Sequence, residues 1–450
     1  MSSQFTRRAF LKMAGVMAGL SIVAACAPQP TATPEVKAEP AKTPEQPKAE
    51  APTKAPASSV TLMSLGIPNE KIFEVFKQKT GITVENVPIT GDKFQKLNSM
   101  FATGDPPDLF NTSDVNWCKD REIAQQQHVV LDELFTRDDK EFDFADIYPS
   151  ISKWMKMPDG HYHFTVTYVN SNVLAYNVEL FDKAKVPYPT DKWTWDDMVQ
   201  AGKELTVVDS SGTVSQYGKA TTFGWWGEYY YYQRQAGLAD WLSDDGKEVY
   251  MDKPEAIEGL AFYLDCITKH KISDAPGKSL EGGFNGGGYA MWNFIHTGSW
   301  PGITQAGVKW DVMTPPKGKR QEGGELALDS TAIGKGSKHV EESWSFLKFS
   351  SGKEGGIEWV LFNYPPTRKS VAEQTWIPHK NTPEYPLHPE RYFDSLPFNM
   401  TVFWAPGSWD AWGILQKKVD LMLEGKMTPE EACKQAATEH RDLIASGGKK

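Results

Sequence analysis

The chain has 450 residues, with 48 Lys plus Arg against 58 Asp plus Glu, a formal charge of −10. Hydrophobic residues make up 40% and charged residues 24%. These are globular values, and they exclude a wholly disordered, collagen-like or many-pass membrane chain. The acidic balance and the lack of a basic tract argue against broad nucleic-acid binding. Four cysteines are too few for a disulfide scaffold. Aromatic residues are the unusual class, with 16 Trp, 16 Tyr and 22 Phe.

At the N-terminus, Thr6-Arg7-Arg8-Ala9-Phe10-Leu11-Lys12 precedes an apolar stretch from Met13 to Ala25. A helix needs about 20 apolar residues to span a bilayer, so this shorter stretch reads as the core of a signal peptide over 1–25. The Arg7-Arg8 pair resembles a bacterial twin-arginine export signal, with an ordinary secretory signal as the alternative. The stretch ends in Val23-Ala24-Ala25-Cys26, which resembles a lipobox. Cys26 would then be acylated and become the mature N-terminus, anchored durably because more than one acyl chain is attached. Residues 26–59 carry eight prolines interleaved with Lys and Glu and no aromatic residue, which predicts a solvated tether. Stretched out, it would reach about 90 Å. At most one disulfide is possible among Cys118, Cys266 and Cys433, and buried free thiols are expected at all three.

From Val60 onward no comparable break occurs. Val60 to Met63 reads as a strand, and Glu70 to Lys79 as a helix with Ile72, Phe73 and Phe76 on one face, stopped at Thr80-Gly81. Ile82 to Val84 is the next strand, Asp92 to Phe101 the next helix, and Asp108 to Phe110 a third strand. This βαβαβ succession predicts an α/β fold. Further helices are predicted over Glu255 to His270 and Val340 to Phe349. Thr428-Pro429-Glu430-Glu431 opens another, with a hydroxyl cap, a first-turn proline and acids near the positive helix end.

Catalytic signatures are absent: no G-x-S-x-G, no H-E-x-x-H and no phosphate-binding P-loop. Gly282 to Gly288 lacks dinucleotide spacing and reads as a turn. His161 and His163 alternate as two metal ligands would, but no third ligand is visible, so neither a metal nor a cofactor is expected. The acidic run Asp138 to Glu141 reads as a solvated surface or helix end. Aromatics instead cluster in segments rich in Gly, Pro, Asn and Ser that read as loops: Trp225-Trp226 with Tyr229 to Tyr232, Trp292 and Trp300, and Trp404, Trp409 and Trp412 around Asp410. Asp114, Asn116 and Trp117 follow a strand end. Flat rings cover the C–H faces of a pyranose and carboxylates bind its hydroxyl rim, so this combination suits a neutral carbohydrate. The alternative is that these rings fill the core.

Phe76-Lys77-Gln78-Lys79-Thr80-Gly81-Ile82-Thr83-Val84, the stretch Leu97 to Phe110 (LNSMFATGDPPDLF), Tyr176-Asn177-Val178-Glu179-Leu180-Phe181, Gly298-Ser299-Trp300 and Pro365-Pro366-Thr367-Arg368 follow in an order that resembles the bacterial extracellular solute-binding proteins of ABC importers, specifically their carbohydrate-binding group. Two departures stand out: Thr165-Val166-Thr167 lacks the proline common at the first crossover, and Gly286-Gly287-Gly288 replaces charged residues. The resemblance implies a type II periplasmic-binding-protein fold, with two α/β lobes joined by crossover segments. Lobe one would be 60–168 plus 328–372, and lobe two 169–327 plus 373–446. It implies ligand-binding residues Asp114 and Trp117 from lobe one, and Trp225, Trp226, Tyr229, Trp300, Trp409, Asp410 and Trp412 from lobe two. It also implies an extracytoplasmic receptor, expected as a monomer and lipid-anchored through Cys26, that passes a carbohydrate to a membrane permease without chemistry; the aromatic excess favours an oligosaccharide over a monosaccharide, with a polyol or glycerol phosphate as the alternative ligands. The rival readings are a surface glycan adhesin or sensor, and a lipid-anchored glycoside hydrolase.

Overall fold

The computed structural model describes residues 58–64, 70–87, 93–111, 127–157, 159–221, 223, 227–295, 297–379, 385–401, 405 and 407–447. The signal segment with Arg7 and Arg8, Cys26, the tether, and Asp114, Trp117, Cys118, Trp225, Trp226 and Trp404 lie outside them.

Among the described residues, ten strands form two five-stranded sheets. β1 (Ser59–Met63), β2 (Thr83–Val87), β3 (Leu109–Asn111), β4 (Thr165–Ser171) and β10 (Leu326–Ile333) make the first, in the order β2-β1-β3-β10-β4. β1 runs parallel to β2 and β3, while β10 inserts antiparallel between β3 and β4. β5 (Val173–Asn177), β6 (Val207–Val208), β7 (Val214–Ala220), β8 (Tyr289–Ile295) and β9 (Trp310–Met313) make the second, in the order β6-β7-β8-β5-β9.

The opening helix occupies Lys71–Thr80 and buries Ile72 and Phe76, as their spacing predicts. It ends because Gly81 turns left-handed at φ 79°, returning its N–H to the Lys77 carbonyl. The helices predicted near 92–101, 255–270 and 340–349 are found at Lys93–Thr103, Pro254–Thr268 and Val340–Ser350. At Pro429–Ala445 the Thr428 hydroxyl and the Glu431 carboxylate cap each other's backbone N–H. One core cluster packs Val60, Leu62, Leu109 and Phe110 of the first sheet with Leu347 of the helix Val340–Ser350, and extends to Val173 and Val312 of the second sheet. A second centres on Leu174, Met198, Leu260 and Cys433.

One expectation is corrected. Tyr229 to Tyr232 do not sit on a loop: they fill the helix Gly227–Gln235, and all four are buried. A helix that is aromatic all round has no solvent face and must go into the core. Its phenols make this tolerable by bonding inward, Tyr229 to Gln416, Tyr230 to Asp240 and Tyr232 to Glu228. Asp138 stands at a helix end, one of the two readings of the acidic run, where Asp132–Arg137 gives way to Asp139–Phe142. Its carboxylate accepts hydrogen bonds from Arg137, from the Trp344 indole at 2.7 Å and from Lys348 at 2.8 Å, and these partners hold it well below the usual carboxylate range. Cys266 and Cys433 are buried free thiols, each pushed up to about 12 by burial.

His161 and His163 pair with carboxylates instead of a third ligand: His161 lies 3.4 Å from Asp132, and His163 lies 2.7 Å from Asp159. The His163 ring stacks 4.6 Å from His128, which is buried beside the first sheet. Burial, aided by His163, lowers the His128 imidazole to about 4. A neutral buried imidazole stabilises the fold fully above the unfolded value of about 6.5, and that contribution is lost as pH falls toward 4. Urea unfolding of wild type is therefore expected to weaken by about 2–3 kcal/mol more between pH 7 and pH 4.5 than unfolding of His128→Gln. Equal losses would remove His128 as the cause.

Candidate functional site

The two sheets are joined where three stretches of chain lie side by side. β4 ends at Ser171 and β5 begins at Val173, so a single residue, Asn172, separates a strand of one sheet from a strand of the other. The second stretch is Gly323-Gly324-Glu325, just before β10. The third is Asn399-Met400. Asn172 N–H donates to the Glu325 carbonyl at 2.9 Å, and its side-chain oxygen accepts from Glu325 N–H at 2.8 Å. The Asn399 amide donates to the Asn172 carbonyl at 2.9 Å and to the Ser171 hydroxyl, and its oxygen accepts from Gly324 N–H. Met400 N–H closes onto the Gly324 carbonyl at 3.0 Å. Asn suits both positions because one side chain offers donors and an acceptor in a plane. Glycine is required at 323 and 324. A Cβ on Gly323 would lie 2.0 Å from the Phe398 carbonyl oxygen, and one on Gly324 would lie 2.8 Å from the Asn172 Cβ.

The segment Tyr385 to Ser395 straps this junction. The buried Asp311 of β9 accepts from His388 N–H at 2.9 Å and from Arg391 at 2.7 Å, with the His388 ring at 2.6 Å and the Tyr176 phenol at 3.0 Å. Four residues beyond His388, the Tyr392 phenol bridges the Ser171 N–H and the Val169 carbonyl of β4. One short segment thus grips both sheets. Thr297 adds a direct bond by donating to Asn170 of β4 at 2.9 Å.

The expected ligand-binding residues fall into three groups. Asp114, Trp117, Trp225 and Trp226 lie outside the described residues. Tyr229 and Trp300 are buried. Trp300 starts a short helix, Trp300–Gln305, and packs 5.2 Å from Trp310, 5.5 Å from Trp376 and 5.7 Å from Tyr392. Tyr229 stacks on Trp241 and meets Tyr263 edge to face, and burial raises its phenol well above the ordinary value.

Trp409, Asp410 and Trp412 form the third group, in the first turn and a half of the helix Ser408–Leu423. Gly407 launches that helix from a left-handed turn at φ 84°. Positions i and i+3 share a face, and the two indoles meet edge to face at 5.5 Å and 82°. Both are half-buried, and Asp410 between them is exposed. One helical turn further, Gln416 receives the Tyr229 phenol at 2.9 Å, which fixes this helix against Gly227–Gln235. Two ring faces and a carboxylate are thus presented on one helix end.

Sequence reasoning did not single out the residues of the junction, Asn172, Gly324 and Asn399. Isolated asparagines and glycines carry no motif, and their roles exist only when three distant stretches meet. Two surface cavities lined by described residues, of about 410 Å³ beside Phe76 and Arg368 and about 630 Å³ beside Trp195 and Phe262, include none of the expected ligand-binding residues. Among the described residues no group of three metal-ligating side chains converges, and no helix is long and apolar enough to cross a membrane.

Among solved structures, an ABC substrate-binding protein from Listeria monocytogenes in complex with cycloalternan matches at 24% identity and a TM-score of 0.71, over 88% of this chain and all of that one. A maltose-bound protein from T. maritima matches at 21% identity and a TM-score of 0.68, over 86% of this chain and all of the other. The GacH receptor of Streptomyces glaucescens, solved unliganded and with acarbose, matches at 18% and 0.66, over 86% and 99%. The fold is therefore the type II periplasmic-binding-protein fold. The family model for bacterial extracellular solute-binding proteins matches residues 66–357, so this chain belongs to the bacterial extracellular solute-binding protein family.

Proposed function

We propose that the protein is the substrate-binding lipoprotein of an ABC importer, and that it captures an extracellular carbohydrate, an oligosaccharide, for delivery to a membrane permease. The observation that carries this reading is the partly exposed Trp409–Trp412 pair on the first turns of one helix, with Asp410 exposed on the same turn. Indole faces cover the apolar C–H surfaces of a sugar, and a carboxylate accepts from its hydroxyls. Family membership supports the transport role, and the cycloalternan, maltose and acarbose held by similar structures support the ligand class.

In this reading each sheet with its helices is one lobe. The ligand lands first on the tryptophan platform. The lobes then close about the junction at Asn172, Gly324 and Asn399, where short hydrogen-bonded stretches replace a broad interface. Trp117, Asp114, Trp225 and Trp226 complete the lining, Trp300 backs it, and Tyr229 holds the platform helix. Closure completes hydrogen bonds and excludes water, and no ligand bond breaks, so the chain is not an enzyme. Cys26 carries the lipid, and 26–59 lets a monomeric receptor work near the membrane without touching it.

A thermal-shift screen against a sugar panel is expected to raise the melting temperature with at least one oligosaccharide, because binding to the folded state adds stability. Recovery of that sugar uncleaved separates the receptor from a hydrolase. Trp412→Ala is expected to weaken calorimetric affinity for it by about 1–3 kcal/mol, through lost stacking and burial. Unchanged affinity in both Trp409→Ala and Trp412→Ala would refute the platform. Asn399→Ala leaves Gly324 N–H and the Asn172 carbonyl without their buried partners, at a cost of about 1–3 kcal/mol in urea unfolding. An unaltered midpoint would show that the junction does not depend on this amide.

A further inference from the structure

The Asn172 side chain has one more partner. Its amide donates to the carbonyl of Phe294 at 3.2 Å. Phe294 belongs to β8, yet its φ is +57°, in the left-handed region. The other non-glycine residues with positive φ among those described, Asp143, Lys185, Lys271 and Asn363, lie outside the strands. A bulky residue in this conformation inside a strand is strained and persists only where its surroundings hold it.

The surroundings do so from three sides. Along β5 the pairing steps from Val173 to Ala175, while along β8 it steps from Ile295 to Trp292. β8 thus carries one extra residue, a bulge that includes Phe294. The Phe294 ring is seated in the tyrosine helix, 4.9 Å from Tyr231 and 5.3 Å from Tyr232. Gly324 lies over it, so close that a Cβ there would stand 3.2 Å from Phe294 Cδ1. The bulge is therefore bonded to the first crossing through Asn172 and packed against the second through Gly324.

We propose that Phe294 is a positioning residue for lobe closure: its backbone is left-handed in this arrangement of the two sheets and relaxes in the other, so its strain sets part of the balance between open and closed protein. The inference rests on the reading that the lobes close over a ligand. A turn of one sheet relative to the other pivots the chain at Asn172. β5 follows directly, because it starts one residue later. β8 is tied to that pivot by the Asn172–Phe294 bond, and the bulge is where its ladder to β5 is already broken. A residue strained in only one of two states shifts their equilibrium by the strain difference.

The test uses two variants that both delete the ring, Phe294→Gly and Phe294→Ala. They differ by a single Cβ, which disfavours positive φ in alanine only. Dyes on reactive residues placed at the exposed Lys140 and Lys426, one on each lobe, report the ratio of open to closed molecules by single-molecule energy transfer in the full chain without ligand. The two variants are expected to differ in that ratio by about fivefold or more. Equal ratios with different melting temperatures would mean static strain shared by both states and would overturn the proposal. Should the small variants unfold, Phe294→His and Phe294→Leu repeat the comparison, because His tolerates the left-handed region better at similar bulk. A single population that no sugar of the panel moves would instead remove lobe closure, and this inference with it.

Discussion

The architecture depends on a planar amide at the point where one sheet becomes the other. Asn172 is the only residue between β4 and β5, and it is wholly buried. Its backbone and side chain are bonded to the second and third stretches of the junction. A buried backbone group must find a partner, and here the partners lie in stretches about 150 and 230 residues downstream. That requirement holds the crossings side by side, and a hydrogen-bonded bundle joins the two sheets.

Around that bundle the aromatic residues divide by what their polar atoms can reach. Tyr229, Tyr230 and Tyr232 enter the core with phenols bonded to Gln416, Asp240 and Glu228. Trp300 sits among Trp310, Trp376 and Tyr392, beside the strap from Tyr385 to Ser395. Trp409 and Trp412 keep part of their surface open, while Ser408 and Ala411 of the same turn are buried. The same residue types thus serve as filling in one place and as a surface in another. The face of the helix a ring occupies, and not composition, makes the difference.

Asp311 and Tyr392 show how the strap reaches both sheets with few residues. A carboxylate buried on β9 draws in His388, Arg391 and Tyr176, and a phenol placed one helical turn later reaches β4. A buried carboxylate costs solvation, and its several donors offset that cost. Such a strap couples the packing near Trp300 to the crossing at Ser171, so the aromatic cluster and the junction form one mechanical unit.

Local structure was largely legible in the sequence. The spacing of Ile72 and Phe76, the glycine at 81 and the Thr428–Glu431 pair act over three or four residues, and each produces the element it signals. The order of motifs from Phe76 to Arg368 carried the family, because many weak signals in sequence add up when their spacing is preserved. What the sequence by itself determined was therefore most of the elements, the two-sheet class through the resemblance, and an unusually large stock of aromatic residues. Only the tertiary structure decided that the tyrosine run is core, that Asp138 accepts from Trp344 and Lys348, and that Asn172, Phe294, Gly324 and Asn399 meet at one point. Those roles arise from contacts between segments far apart in the chain, such as Asn172 with Asn399 and Asp138 with Trp344, and no local pattern encodes a partner that distant.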